Sequence, residues 1–167
     1  GYDDMTEKDI QREEEFDLVK GLLEAAEYRT SEDCISAEEI RRGGKLLIRV
    51  HIHPISDNDF KTARKKATTF MPNPMNKKLP QIEKSFDTAL YNSWIIYLAT
   101  TPDDQRDVWG NKALRDKLGV NLPVETIDGV LTAGEKAALI DRIGEISGTG
   151  GDADDEDELS DEDTAKK

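Results

Sequence analysis

The chain has 167 residues, of which 36% are apolar and 35% charged, and its formal net charge is −13. This length suffices for one domain with a buried core. The acid is unevenly placed: residues 152–163 carry nine acidic side chains and no basic one, whereas residues 1–151 carry 27 acids against 21 bases. Binding of nucleic acid or of an anionic membrane requires clustered Lys and Arg, so we expect neither as a partner.

Cysteine usage and hydropathy bear on where the protein works. Cys34 is the only cysteine, which excludes an internal disulfide and favours a reducing compartment. The longest apolar run, WIIYLA at residues 94–99, is far shorter than the ~20 residues of a membrane-spanning helix. The first residues lack the basic and apolar regions of a signal peptide. We therefore expect a soluble, cytoplasmic protein.

The N-terminal part predicts a long amphipathic helix. Residues 1–9 are predicted to be flexible, and a helical pattern covers residues 7–28. Apolar residues recur three and four positions apart, which gives one narrow stripe on a helix otherwise covered by Glu and Lys. The stripe consists of Phe16, Val19, Leu23 and Ala26. It can pack against the rest of the chain or against a second copy, and the sequence leaves both open.

A change of period follows at Gly43–Gly44, which predicts a tight turn. After the turn, apolar residues on one face alternate with their neighbours, as in a strand with one buried face. These residues are Leu46, Ile48, Val50 and Ile52. We predict a strand at about residues 45–53, ended by Pro54. Segment 32–42 is its predicted hairpin partner, and pairing between two copies is the alternative.

The middle of the chain predicts two helices and a loop. The first helix covers residues 57–69 and starts at Ser56-x-x-Asp59. Its predicted inward residues are Phe60, Ala63, Ala67 and Phe70. Segment 71–80 holds three prolines and predicts a loop. Helical spacing returns over residues 82–99, and residues 94–98 are apolar on every side, which predicts a central core helix.

The C-terminal part predicts three more helices. A short one around residues 111–118 ends at Gly119, and another covers residues 123–131. In the third, Thr132 and Glu135 form a capping box and Gly148 is the C-terminal stop. One face of this last helix is continuously apolar, with Leu139, Ile140, Ile143 and Ile146.

These patterns together predict a mainly α fold with a small β-hairpin or short sheet (α+β). We expect a single, mainly helical domain over residues 10–148. Residues 149–167 contain almost nothing apolar, and such a segment cannot offset its ordering entropy by burial. They are predicted to form a disordered acidic tail.

Catalytic and metal-binding patterns are weak. His51 and His53 lie two residues apart, so both imidazoles share one strand face, but no third ligand is near in sequence. We therefore favour a solvated strand face, and we expect no catalytic residue, no metal and no cofactor. Trp94 is predicted to be a core residue. Trp109, flanked by Asp107 and Gly110, fits either the core or an interface.

Three segments in a fixed order resemble a known family. They are GGKLLIRVHIHPISDNDFKTARKKAT, NSWIIYLATTPDDQRDVWGNKALRDKLGV and IDGVLTAGEKAALIDRIGEISG. Together they resemble the tail assembly chaperones of long-tailed phages and prophages of Gram-positive bacteria, over roughly residues 40–148.

The resemblance implies a non-enzymatic protein that binds the tape measure protein and keeps it soluble while the tail tube protein polymerises around it. It also implies self-association into a homo-oligomer, a longer frameshifted form of the same chain, work in the host cytoplasm and absence from the mature virion. The candidate partner-binding residues are Phe16, Val19, Leu23, Trp109, Leu139 and Ile143. For Leu139 and Ile143, packing in the core is the favoured interpretation.

Three other functions are weighed against this one. The first is a phage structural component, such as a head–tail connector or tail-completion protein, which would persist in the virion. The second is a host regulatory or adaptor domain. The third is an enzyme, which would require a compact polar pocket around His51 or Cys34.

Overall fold

The computed structural model describes residues 7–28 and 31–149, without the side chains of residues 7–16. The chain divides into two compact units, with the boundary between Ile35 and Ser36. Residues 1–6 of the predicted flexible N-terminus and nearly all of the predicted acidic tail lie outside the described residues, whereas residues 7–9 are helical and the prediction of flexibility is wrong for them. The predicted limits of a single domain, residues 10–148, stay a prediction.

The first unit contains the predicted N-terminal helix. Helix α1 covers Glu7–Tyr28, which confirms the helical pattern. A 3₁₀ turn at Glu32–Cys34 follows. The thiol of Cys34 is buried, and its Sγ contacts the carbonyl oxygens of Tyr28 and Ser31. The end of the helix and the turn are thereby joined locally.

The second unit begins with the predicted hairpin. Strands β1 (Ser36–Arg42) and β2 (Lys45–Ile52) pair antiparallel. Gly43 and Gly44 have φ of 58° and 79°, the positive values that a two-residue hairpin turn requires and that glycine adopts without strain. The side chains of Ile40, Val50 and Ile52 are buried. Both the strand and its predicted partner within the chain are therefore confirmed.

The end of β2 also meets the helical part of this unit through its backbone. Ile52 and Thr100 form an isolated antiparallel bridge. The N–H of His53 donates to the Ala99 carbonyl at 2.8 Å, and the N–H of Thr101 donates to the His51 carbonyl at 2.9 Å. Residues 51–53, which are the last two residues of β2 and the one that follows, are thus paired with residues 99–101.

Helix α2 covers Asp57–Ala67, and its N-terminus carries the predicted cap, a reciprocal capping box between Ser56 and Asp59. Ala63 and Ala67 are buried, as predicted. The predicted inward position of Phe70 is wrong, because the helix ends at Ala67 and Phe70 is exposed on a strand. Two threonines and a phenylalanine at residues 68–70 favour extended backbone.

A second hairpin was not predicted. Strands β3 (Thr68–Met71) and β4 (Ile82–Phe86) pair antiparallel, and the predicted proline-rich loop connects them. The prediction of a helix over residues 82–86 is wrong. Asp87 accepts a hydrogen bond from the N–H of Leu90 at 3.0 Å, and this N-cap fixes the start of the next helix at Thr88.

The core of the second unit forms around helix α3 (Thr88–Ala99), which contacts α2 and two of the C-terminal helices. Its buried residues are Ser93, Ile95, Ile96 and Ala99. Trp94 is half-buried and packs against this core. The prediction of a central core helix is confirmed.

The three remaining predicted helices follow in order, after a short helical segment that was not predicted. Helix α4 (Pro102–Asp104) continues into a π-helical turn at Gln105–Trp109. Helices α5 (Lys112–Leu118), α6 (Pro123–Val130) and α7 (Ala133–Ser147) come next. Gly119 and Gly148 stop α5 and α7 with φ of 68° and 80°. Among the helices of the described residues, none combines the length and apolar character needed to cross a membrane.

Candidate functional site

The main exposed apolar feature of the first unit lies on α1. Every residue from Asp17 to Tyr28 is exposed. Four large aliphatic side chains stand out, and the exposed fractions are 62% for Leu18, 55% for Val19, 61% for Leu22 and 62% for Leu23. Since monomeric proteins rarely leave a contiguous group of this kind in water, it is typical of a binding surface.

These side chains share one side of the helix. At ~100° per residue, Leu18, Leu22, Ala26, Val19 and Leu23 follow one another over about 140° of the circumference. The polar residues Asp17, Lys20, Glu24 and Glu27 lie on the opposite side. We call the five apolar residues the α1 apolar face. The α1 apolar face is wider than the predicted stripe, which shares Val19, Leu23 and Ala26 with it. The side chain of Phe16, the other residue of that stripe, lies outside the described residues.

The other predicted partner-binding residues lie in the core of the second unit. Trp109 and Ile143 have no exposed surface, and Leu139 is 4% exposed. The indole Nε1 of Trp109 donates to Thr100 Oγ1 at 3.0 Å, and Thr126 Oγ1 donates to the Trp109 carbonyl at 2.8 Å. These three residues hold the fold together and present nothing to a partner in this conformation.

The predicted capping residues of α7 also join the first hairpin to this helix. Thr132 and Glu135 form the reciprocal capping box. Arg42, at the end of β1, donates to both carboxylate oxygens of Glu135 at 2.7 and 3.0 Å. These hydrogen bonds from Arg42, together with the N–H of Thr132, lower the pKa of Glu135 from 4.5 to about 2. Thr132 and Glu135 thus cap the N-terminus of α7, and Gly148 caps its C-terminus.

The lowered pKa predicts a pH dependence of stability. A carboxyl group whose pKa is lower in the folded state stabilises the fold above its unfolded pKa, and this contribution is lost as the pH falls toward the folded value. The wild type should therefore melt above the Glu135→Gln variant at neutral pH. The difference in melting temperature should shrink between about pH 4.5 and about pH 2.

Thermal melts followed by circular dichroism across this range measure the difference. Arg42→Gln is the matched variant, because it removes the largest cause of the shift and leaves the Thr132 cap in place. It should abolish most of the pH dependence that Glu135 contributes. A difference between wild type and Glu135→Gln that stays constant from pH 7 to pH 2 would contradict the prediction.

The two histidines and the cysteine are separately engaged. His51 Nδ1 lies 2.8 Å from Asp104 Oδ2, and the backbone N–H of His51 donates to the same oxygen at 2.7 Å. His53 Nδ1 lies 2.8 Å from the Pro54 carbonyl oxygen. Across the described residues, no three His, Cys, Asp or Glu side chains are grouped as metal ligands.

A second exposed surface lies on α2 and the β3–β4 hairpin, and the sequence analysis missed it. Residues 57–86 carry seven basic side chains against three acidic ones, Asp57, Asp59 and Glu83, in a chain with a net charge of −13. All seven are exposed. They are Lys61, Arg64, Lys65, Lys66, Lys77, Lys78 and Lys84. We call them the basic surface. Averaging the charge over the chain concealed this cluster, which a count in shorter windows would have found.

Comparison with known proteins gives one family. The model of the family described as "Phage XkdN-like tail assembly chaperone protein, TAC" matches residues 19–162. No curated protein matches the chain at a significant level. Among solved structures, the crystal structure of the protein yqbn matches with 20% sequence identity and a TM-score of 0.39. That match covers 68% of this chain and 87% of the other.

Proposed function

The chain belongs to the phage XkdN-like tail assembly chaperone family, and from this premise we propose that it binds the tape measure protein and keeps it soluble during tail tube assembly. The family supports a role in phage tail assembly that needs no catalytic step. The client and the surface that binds it are the parts that we propose.

The α1 apolar face is the observation that supports client binding. A very long helical client with an apolar stripe needs a complementary apolar surface that is accessible before binding. Helix-to-groove and helix-to-helix recognition use anchors spaced by three and four residues, which is the spacing of Leu18, Leu22, Val19 and Leu23. We infer that this face takes the apolar stripe of the client.

The size of the face suggests how the protein works. Fully burying a large aliphatic side chain contributes about 1.5 to 3 kcal/mol, so four of them contribute about 6 to 12 kcal/mol. Association costs about 4 to 15 kcal/mol in lost freedom. The two ranges overlap, so we infer that a single contact through this face is weak. Many copies spread along one client would cover it while each remains easy to displace by tail tube protein.

Co-expression tests the proposed function directly. The tape measure protein encoded beside this chain is produced with and without it, and the soluble fraction and the material retained with an affinity-tagged chain are measured. We expect the chain to raise the soluble fraction and to retain the client. A client whose solubility is unchanged, and that is not retained, would overturn the proposal.

Substitution of the α1 apolar face should weaken this interaction. The double variant Val19→Asn, Leu23→Asn removes two anchors, worth about 3 to 6 kcal/mol, and we expect the affinity for the client to fall by about a hundredfold or more. The matched control is Lys20→Asn, Glu24→Asn, which has the same spacing and the same new residue on the polar side. Since all four positions are exposed, both variants should keep their stability within about 0.5 kcal/mol.

Equal loss of client in both variants would show that helix stability, and not the apolar face, is being measured. The same pair also tests self-association, because light scattering of the purified variants reports the oligomeric state. If Val19→Asn, Leu23→Asn dissociates a homo-oligomer but still retains the client, the face binds a second copy instead.

Purified phage particles separate this function from that of a structural component. An assembly chaperone acts in the host cytoplasm and leaves before the tail is complete. We expect mass spectrometry of mature virions to detect tape measure protein and no stoichiometric amount of this chain. Recovery of the chain in fixed proportion to tail proteins would favour a connector or tail-completion protein.

A further inference from the structure

The basic surface is built around a strongly exposed hairpin. Arg64 of α2 lies over the Phe86 ring at 4.7 Å and within 3.5 Å of Glu83 Oε1, so α2 and β4 stand side by side. Beyond them, the loop between β3 and β4 exposes Met75, at 88%, and Leu79. Within the described residues, Glu83 is the one acid that forms an ion pair with this surface. The surface therefore offers positive charge with apolar side chains among it.

We propose that this surface binds the chain's own acidic C-terminal segment, residues 152–163. That segment carries nine acids and no base, and one leucine, Leu159, lies among them. The nine acids are opposite in charge to the seven basic side chains of the surface. Leu159 is apolar, as are the exposed side chains of Met75 and Leu79 in the loop. No other segment of the chain has a comparable excess of acid.

The place where the segment begins supports this assignment. Ser147, the last residue of α7, accepts a hydrogen bond through its Oγ from the N–H of Ile55 at 3.0 Å. The chain therefore leaves α7 beside the N-terminus of α2, which begins at Asp57. Helix α2 is ~16 Å long at ~1.5 Å per residue, and Lys61 is one turn from its start.

The length of the segment is also sufficient. At ~3.3 to 3.6 Å per extended residue, the four residues that follow Gly148 span up to ~14 Å and fifteen residues span up to ~50 Å. A compact domain of about 100 residues has a radius of gyration of about 13 Å. The segment is therefore long enough to extend along α2 and the hairpin.

Covalent attachment favours the chain's own acidic segment over an external polyanion as the occupant of the basic surface. A segment joined by a short flexible linker has an effective concentration near the millimolar range. Single-stranded nucleic acid or an anionic membrane must compete against it. Individual exposed ion pairs are weak, at about 0 to 1 kcal/mol, so the interaction depends on many charges and on low salt.

Zero-length carbodiimide cross-linking of the full chain tests the proposal, because it joins carboxylates only to amines in direct contact. At low salt we expect links from residues 152–163 to the lysines of the basic surface to exceed, several-fold per lysine, those to three exposed control lysines. The controls are Lys45, Lys112 and Lys117. At about 1 M salt, where the Debye length is about 3 Å, the excess should disappear. Links spread evenly over all exposed lysines would overturn the proposal.

A mixture of ¹⁵N-labelled and unlabelled chain distinguishes the chain's own segment from that of a second copy. An absence of mixed-isotope links supports the proposal, and mixed-isotope links that make up about half of the total, as random pairing between copies gives in an equimolar mixture, overturn it.

Binding of a single-stranded DNA oligonucleotide gives an independent readout. Changing the nine acids to Asn or Gln should expose the surface and strengthen DNA binding by about tenfold or more. Lys77→Gln, Lys78→Gln, Lys84→Gln should cancel the gain, and the matched Lys45→Gln, Lys112→Gln, Lys117→Gln should not. Wild-type chain that binds DNA as tightly as the neutralised variant would make nucleic acid the occupant and overturn the proposal.

Discussion

Replacing Trp109 with alanine is expected to lower the free energy of unfolding by about 3 to 5 kcal/mol. The indole has no exposed surface and lies in the core of the second unit. Its removal leaves a cavity and takes away the donor to Thr100 Oγ1. Since a domain is stable by only about 5 to 15 kcal/mol, this one change removes a large share of the total. Urea unfolding followed by circular dichroism measures the loss.

The same substitution at Trp94 is the matched control. Trp94 is half-buried and packs edge-on against Tyr97 at 5.7 Å, so part of its ring already contacts water and Trp94→Ala should cost less. Trp109→Phe separates the two causes, because it keeps most of the apolar area and loses the Nε1 donor, at about 1 to 3 kcal/mol. Equal losses for the two alanine variants would contradict the packing described for Trp109.

Lys136 is expected to be the second most sensitive position. Its side chain is 8% exposed, and Nζ donates to the Ala89 carbonyl at 3.0 Å, to Ser93 Oγ at 2.9 Å and to Asp128 Oδ1 at 3.0 Å. The ammonium thus has an acceptor for each of its three protons, and it joins α7 to α3 and α6. Lys136→Ala should cost about 2 to 4 kcal/mol, from the lost aliphatic stem and the lost donor to a buried hydroxyl.

Two further variants show which contacts of Lys136 account for that loss of stability. Lys136→Met keeps the stem and should fall between wild type and Lys136→Ala. Asp128 is 69% exposed, so water can replace it, and Asp128→Ala should cost less than Lys136→Ala. Chemical unfolding of the three variants measures these differences. An alanine variant within about 0.5 kcal/mol of wild type would show that the lysine is not part of the packing.

Local sequence signals were sufficient to predict the elements whose ends are fixed by residues within the same segment. Helix α7 was predictable because Thr132, Glu135 and Gly148 cap it through contacts within four residues. The first hairpin was predictable because its glycines take the positive φ that the turn needs. In both cases the physical cause lies within the segment, so no tertiary information is required.

The second hairpin shows where such signals become ambiguous. Ile82 and Phe86 are four residues apart, a spacing that fits one face of a helix and equally one face of a strand. Asp87 was the informative residue, since an aspartate before an apolar run is typical of a helix N-terminus. With the helix starting at Thr88, residues 82–86 become free to pair with the strand that follows α2.

The burial of Trp109 and the exposure of α1 depend on tertiary structure. Trp109 has polar neighbours in sequence, and its hydrogen-bonding partners, Thr100 and Thr126, lie nine and seventeen residues away. For α1, periodicity gives the apolar side of a helix but does not say what covers it. The predicted partner-binding set therefore combined residues that are accessible, such as Leu23, with residues that are not, such as Ile143.

The pairing of β2 with residues 99–101 has a consequence for aggregation. An unprotected edge strand is a template on which other chains can add strands. At His51–His53 the outer edge of β2 is already occupied by the backbone that follows α3. The backbone of residues 99–101 thus closes this part of the sheet against the addition of further strands. Strand exchange between copies is accordingly disfavoured at this end of β2.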